Sequence, residues 1–107
     1  MRKIIRLTTL AVTLLAAVPV LAKTVLIDVR TATEYAQDHI AGALNIDHFN
    51  IGRDISSANV GKDDTILLYC RSGNRSGIAM STLKAMGFTR VENYGGISEA
   101  RKRLLKQ

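Results

Sequence analysis

The stretch Cys70-Arg71-Ser72-Gly73-Asn74-Arg75-Ser76 is where residue types and spacing in this chain could carry covalent chemistry. Cys70 is the single cysteine. A thiol attacks only as thiolate, so its surroundings decide whether it is a nucleophile. The apolar run Thr65-Ile66-Leu67-Leu68-Tyr69 before it and the helical spacing after it place the thiol at the carboxyl end of a strand, facing a helix amino terminus. Gly73 has access to backbone angles closed to other residues, so the loop is able to curl and aim successive amides at one point, a nest for an anion. Loop amides, the positive helix end and the guanidinium groups of Arg71 and Arg75 are all expected to favour the thiolate. Cys70 is therefore the expected nucleophile, and Arg71, Ser72, Gly73, Asn74, Arg75 and Ser76 are the expected substrate-binding residues. An ordinary buried cysteine is the blander alternative, but a core cysteine needs neither two arginines nor a glycine in the residues that follow it. Arg71 carries less of this expectation than Arg75, because it sits where the loop starts and can project outward. With one cysteine and only His39 and His48 as imidazoles, no zinc-type ligand set can be assembled, and neither a metal nor another cofactor is expected.

Positioning such a loop takes a particular kind of fold. Val25 to Val29 is a β-branched run ended by charge, as in a buried parallel strand. Thr31-Ala32-Thr33-Glu34 has capping-box spacing and predicts a short helix to about Asp38. After Gly42, Ala43 to Ile46 predicts a second short strand, and the polar stretch from Asp47 to Asn59 a small helix. Gly61 to Asp64 reads as a turn, and Thr65 to Tyr69, the most apolar strand, is expected at the centre. Ala79, Met80, Leu83 and Met86 then recur at helical spacing, with Gly87 placed for a left-handed helix end. Val91 to Tyr94 predicts a further strand, Gly95-Gly96 a tight turn, and Ile97 to Lys106 an amphipathic helix with Ile97, Ala100, Leu104 and Leu105 inward. Strands and helices alternate throughout. The fold class is thus α/β, a small open parallel sheet of four or five strands with helices on both faces, with ligand sites beyond the carboxyl ends of the strands.

At the amino terminus, Arg2, Lys3 and Arg6 precede a charge-free stretch from Leu7 to Val18, then Pro19, then Val20-Leu21-Ala22. That is the profile of a cleaved signal peptide over residues 1–22, leaving a single domain over 23–107. The stretch is shorter than the ~20 residues a spanning helix needs, so no stable membrane association is expected after cleavage, and the protein is expected to be periplasmic or otherwise exported. Its lone cysteine makes no internal disulfide there. The formal charge of +6 suggests nucleic acid only until it is divided, since half of the excess belongs to the leader. Arg101, Lys102, Arg103 and Lys106 cluster at the last helix end, where cations complement exposed carbonyls. With no aromatic residues interleaved, no nucleic-acid partner is expected.

A cysteine-initiated loop closing on a helix after a central strand resembles the active-site loop of the rhodanese family. Asp28-Val29-Arg30, Glu34 and His39-Ile40-Ala41-Gly42-Ala43-Leu44-Asn45-Ile46 are similar to the family's amino-terminal signature, and Gly87-Phe88, Val91 and Gly95-Gly96 to its carboxyl-terminal one. Together they cover nearly all of residues 23–107 in the right order, and a leader running almost directly into the first signature looks most like the small exported sulfurtransferases of the phage-shock type. The resemblance implies a rhodanese-like domain that moves sulfane sulfur from thiosulfate, a small anionic donor, to a thiol or, in assay, to cyanide, through a Cys70 persulfide. A monomer without cofactor is expected. Asp28, Arg30, Glu34 and His39 are expected in structural roles, the last two as capping and turn residues. The chain departs from the pattern at Ala100, where relatives often have tryptophan, and at Asp47, where they often have proline; the leading strand of many relatives is also expected to be missing. A persulfide carrier or thiol sensor is the first alternative. A phosphatase or arsenate reductase is the second, disfavoured because those loops hold one residue more between cysteine and arginine than lies between Cys70 and Arg75. The exported chain is expected to begin at Lys23 by intact mass, and a mass that retains Met1 contradicts this.

Overall fold

The computed structural model describes residues 21–107; the expected leader lies, but for Leu21 and Ala22, outside the described residues. Four parallel strands make one sheet in the order β2-β1-β3-β4: β1 Thr24–Asp28, β2 Leu44–Asn45, β3 Thr65–Cys70 and β4 Arg90–Gly96. The helices between and after them are α1 Ala32–Gln37, α2 Ile51–Asp54, α3 Asn74–Ala85 and α4 Ile97–Leu105, with a 3-10 turn at Ile55–Ala58 after α2. The sheet has four strands, the lower of the two expected sizes. The short pairing of β2, Ile27 with Leu44 and Asp28 with Asn45, is all that remains of the second strand predicted over 43–46.

Strand period explains why a core forms on each face. Along β3, Ile66, Leu68 and Cys70 turn to one side, where they meet Ile51 of α2, Ile55 of the 3-10 turn, Ala79 and Leu83 of α3, and Phe88 beyond the end of α3. Leu67 and Tyr69 turn to the other, where Ala43, Tyr94 and Ala100 cover them together with Tyr35 of α1 and Ile97 and Leu104 of α4. Ile27, Ile66, Leu68 and Leu83 have no exposed surface, and each such side chain contributes about 2 kcal/mol by leaving water. The active loop is thereby anchored at both ends in packed structure.

Local signals behave as their chemistry requires. Thr31 caps α1 by accepting the Glu34 amide, while the Glu34 carboxylate accepts the Thr31 amide, a complete capping box. Gly87, at φ 101°, ends α3: its amide donates to the Lys84 carbonyl and the Phe88 amide to that of Leu83, 3.1 Å each, and Leu83 and Phe88 share one core. Asp28 is fully buried, and Arg30 nearly so; the Arg30 guanidinium grips the Asp28 carboxylate at 2.7 Å and the Asp38 carbonyl beyond α1. This pair ties β1 to the end of α1.

Two expectations are corrected. Gly95-Gly96 is not a separate tight turn but the end of β4, where a register shift lets Cys70 pair with Gly96 after Leu68 has paired with Asn93; the turn-like composition reflects this bulge. Leu105 does not face inward and is 86% exposed. It lies at the last residue of α4, while Ala100 is fully buried and Leu104 packs against the core. Met86, at the end of the α3 stripe, is 38% exposed and marks the rim of the core rather than its interior.

Candidate active site

Cys70 is the last residue of β3 and is fully buried, with the loop Arg71-Ser72-Gly73 passing over it into α3. Gly73 takes φ +95°, and α3 starts from it without any side-chain cap. A capping side chain would occupy the first-turn amides; here they are left for the sulfur. The Gly73 amide donates to Cys70 Sγ at 2.9 Å, and Ser76 Oγ lies 3.3 Å from it. Burial pushes the Cys70 thiol up, but the Ser76 hydroxyl and the amides of Ser76, Ser72 and Gly73 together outweigh it, so the group lies below the ordinary thiol value. The nest expected around the sulfur is present.

The floor of the loop is set by β4. A Cβ on Gly96 would come within 2.4 Å of the Arg71 carbonyl oxygen, and one on Gly73 within 3.2 Å of the Gly95 Cα. Glycine at 96 on the strand and at 73 on the loop lets the two approach so closely. Asn93, just before the bulge, reaches into the same space: its Nδ2 donates to the Gly73 carbonyl at 2.9 Å, and its Oδ1 accepts the Gly95 amide at 2.8 Å and stands 2.7 Å from Ser76 Oγ. Sequence reasoning did not single out Asn93. The one available signal is its place two residues before the paired glycines.

The arginines do not sit as the loop sequence suggests. Arg75 forms a two-pronged pair with Glu34 of α1, at 2.6 and 2.9 Å, so its charge is matched before any substrate arrives. The Cys70 charge does help to raise the Arg75 pKa, but behind the Glu34 contributions. Arg71 is exposed at the start of the loop, as are Ser72 and Asn74, the first residue of α3. Ser72 and Gly73 serve the sulfur through backbone amides, Ser76 through amide and hydroxyl; the Asn74 and Arg71 side chains make no hydrogen bond to it. Glu34 thus has two tasks, the expected capping of α1 and the pair with Arg75 that joins α1 to α3. His39 is exposed, stacked on Tyr35 at 3.7 Å, and makes no part of the site. Among the described residues no cluster of three or more potential metal ligands occurs.

Two clefts lie away from the sulfur, one of about 350 Å³ beside Asn45, Asp47 and Asp54 and one of about 430 Å³ beside Thr65, Arg90 and Glu92. Neither is lined by residues 70–76. The chemistry, not either cleft, locates the site.

A parallel α/β sheet whose central strand delivers a cysteine into a ring of amides defines a class of proteins that hold an anionic sulfur. The chain belongs to the rhodanese-like domain family, which it matches over residues 13–102. It is 41% identical over 90 residues, covering 84% of this chain and 86% of the other, to the thiosulfate sulfurtransferase PspE of Escherichia coli (strain K12). It is also 38% identical over 69 residues to the putative sulfur carrier protein YrkF of Bacillus subtilis (strain 168), covering 64% of this chain and 36% of that one. A solved rhodanese with anions from E. coli superposes with a TM-score of 0.68 at 41% identity, over 71% of this chain and 89% of that chain.

The Glu34–Arg75 pair has a pH signature. The Arg75 guanidinium, opposed by burial and helped by the Thr31 amide and hydroxyl, holds the Glu34 carboxyl down to about 2. Since this lies below the unfolded value of about 4.3, the stability it contributes is complete above about pH 5 and is lost as pH falls towards 2; both side chains are about a quarter exposed, 26% each, which keeps the gain small. Glu34→Gln preserves the capping box and removes the charge. Urea unfolding across this acid range is expected to show a flatter pH dependence in Glu34→Gln, and an unchanged slope contradicts the assignment.

Proposed function

We propose that this chain is a thiosulfate sulfurtransferase that works through a persulfide on Cys70. The observation that carries the reading is the ring of neutral donors on a buried sulfur, the Gly73 amide at 2.9 Å and the Ser76 hydroxyl at 3.3 Å. In the first step the Cys70 thiolate attacks the outer sulfur of thiosulfate. An S–S bond forms to Cys70, the bond to the sulfonate sulfur breaks, and sulfite leaves with the electron pair. In the second, cyanide or a thiolate attacks the outer persulfide sulfur, and the electron pair of that S–S bond returns to Cys70. The cycle is a double displacement with no net oxidation of the enzyme. Thiolate and persulfide are both anionic, so the same amides stabilise the resting and the loaded states. Donor and acceptor reach the sulfur past the exposed Arg71, Ser72 and Asn74, with Arg71 an exposed cation at that entrance and Arg75 a brace of the loop through Glu34.

Two observations bear on the rivals. A phosphoryl group needs a guanidinium turned into the loop, whereas both Arg75 prongs are spent on Glu34, which disfavours a phosphatase. The full burial of Cys70, with a relative named a putative sulfur carrier, favours as second reading a carrier that is unloaded by a partner protein. We further propose an exported monomer, cleaved after Ala22 and free of the membrane; no helix among the described residues is long and apolar enough to cross one.

Steady-state thiocyanate formation from thiosulfate and cyanide is expected for residues 23–107 and is expected to fall to background in Cys70→Ser. Activity that survives in Cys70→Ser refutes the nucleophile. No turnover in wild type, with one extra sulfur on Cys70 by mass spectrometry, makes the carrier the better reading.

A further inference from the structure

Ser76 has a single hydroxyl proton and three acceptors within reach: the Gly73 carbonyl at 3.1 Å, Asn93 Oδ1 at 2.7 Å and Cys70 Sγ at 3.3 Å. Which acceptor receives it decides whether the hydroxyl serves the sulfur. The Gly73 carbonyl has two lone pairs. One takes the Gly77 amide of the first α3 turn at 3.1 Å, and the other takes Asn93 Nδ2 at 2.9 Å. Gly73 is thereby filled without Ser76. The orientation of the Asn93 amide is fixed from both sides, since the Gly95 amide only donates to it and the Gly73 carbonyl only accepts from it.

The choice narrows to the Asn93 oxygen or the sulfur. When Cys70 is a thiol, its proton can go to Ser76 Oγ while the Ser76 proton goes to Asn93 Oδ1. When Cys70 is a thiolate, the hydroxyl turns to the sulfur, and Asn93 Oδ1 keeps the Gly95 amide. Neither state leaves a buried donor or acceptor unpaired, so the turn avoids the cost of an orphaned group, about 1–3 kcal/mol.

We propose that Asn93 is a positioning residue for Cys70, which by filling the Gly73 carbonyl and holding the Ser76 proton keeps that hydroxyl ready to turn to the sulfur whenever the sulfur is anionic. This rests on Cys70 as the nucleophile of the proposed function. Without Asn93, the Gly73 carbonyl becomes the nearest unfilled acceptor, and Ser76 is drawn away from the sulfur. The charged groups around the loop, Arg71, Arg75, Glu34, Asp47 and Glu99, are the same in every variant compared.

The test is the pH dependence of Cys70 alkylation by iodoacetamide in wild type, Asn93→Ala, Ser76→Ala and the double variant, each checked for folding by circular dichroism. Asn93→Ser, whose hydroxyl is too short to span to Gly73, replaces the alanine variant should that one fail to fold. Removing Asn93 is expected to raise the alkylation midpoint by about one unit, about tenfold less thiolate at low pH. In the Ser76→Ala background the same change is expected to move the midpoint by less than about a third as much, because coupled residues are not additive. No shift in a folded Asn93 variant, or an equal shift in both backgrounds, overturns the proposal. The readout does not depend on turnover: coupling present in a wild type that fails to turn over thiosulfate would refute the sulfurtransferase reading and uphold the role of Asn93.

Discussion

A sulfur that is to be anionic inside a protein must find donors there to replace water, or burial drives it back to the neutral thiol. At Cys70 that replacement comes from groups carrying no net charge: the amides of Ser72, Gly73 and Ser76 and the Ser76 hydroxyl. Amides can be aimed only by fixing the backbone. The loop therefore depends on the strand that delivers it, the helix that receives it and the bulged strand beneath it. The left-handed Gly73, the uncapped start of α3 and the paired glycines of β4 are three parts of one arrangement.

Arg75 acts on the loop rather than chiefly on the sulfur. Arg75 leaves the nest to meet Glu34, and this pair links the first turn of α3 to the first turn of α1. On the other side, Asp28 and Arg30 lock β1 to the chain beyond α1. The fold thus surrounds a ring of neutral donors with ion pairs that hold its elements in register. A guanidinium directly on the sulfur would stabilise the thiolate more strongly, but it would also hold the leaving sulfite. Neutral donors stabilise thiolate and persulfide alike, which suits a sulfur that must be both picked up and given away.

Most of the architecture was legible in the sequence because its signals are local. The apolar run 65–69, the Thr31–Glu34 capping box and the Gly87 helix end each act within a few residues, and each forms the expected element. Cys70 and its loop were legible for the same reason. The Glu34–Arg75 pair and the contacts of Asn93 with Ser76 and Gly73 were not, since their partners lie 41 and 17 to 20 residues apart and meet only once the sheet has formed. Gly95-Gly96 was misread because a bulge and a tight turn ask for the same residue, and Leu105 because spacing alone does not show which apolar residue at a helix end is left in solvent.

The central claim is that neutral donors, not arginines, set the charge state of Cys70. The direct measurement is the thiolate absorbance of Cys70 as a function of pH in wild type, Ser76→Ala and Arg71→Ala. The account predicts a wild-type midpoint below that of an ordinary thiol, raised by about one unit or more when the charge-assisted bond from Ser76 is lost, and little changed in Arg71→Ala. A midpoint that moves as far in Arg71→Ala as in Ser76→Ala, or a wild-type midpoint at the ordinary thiol value, contradicts it.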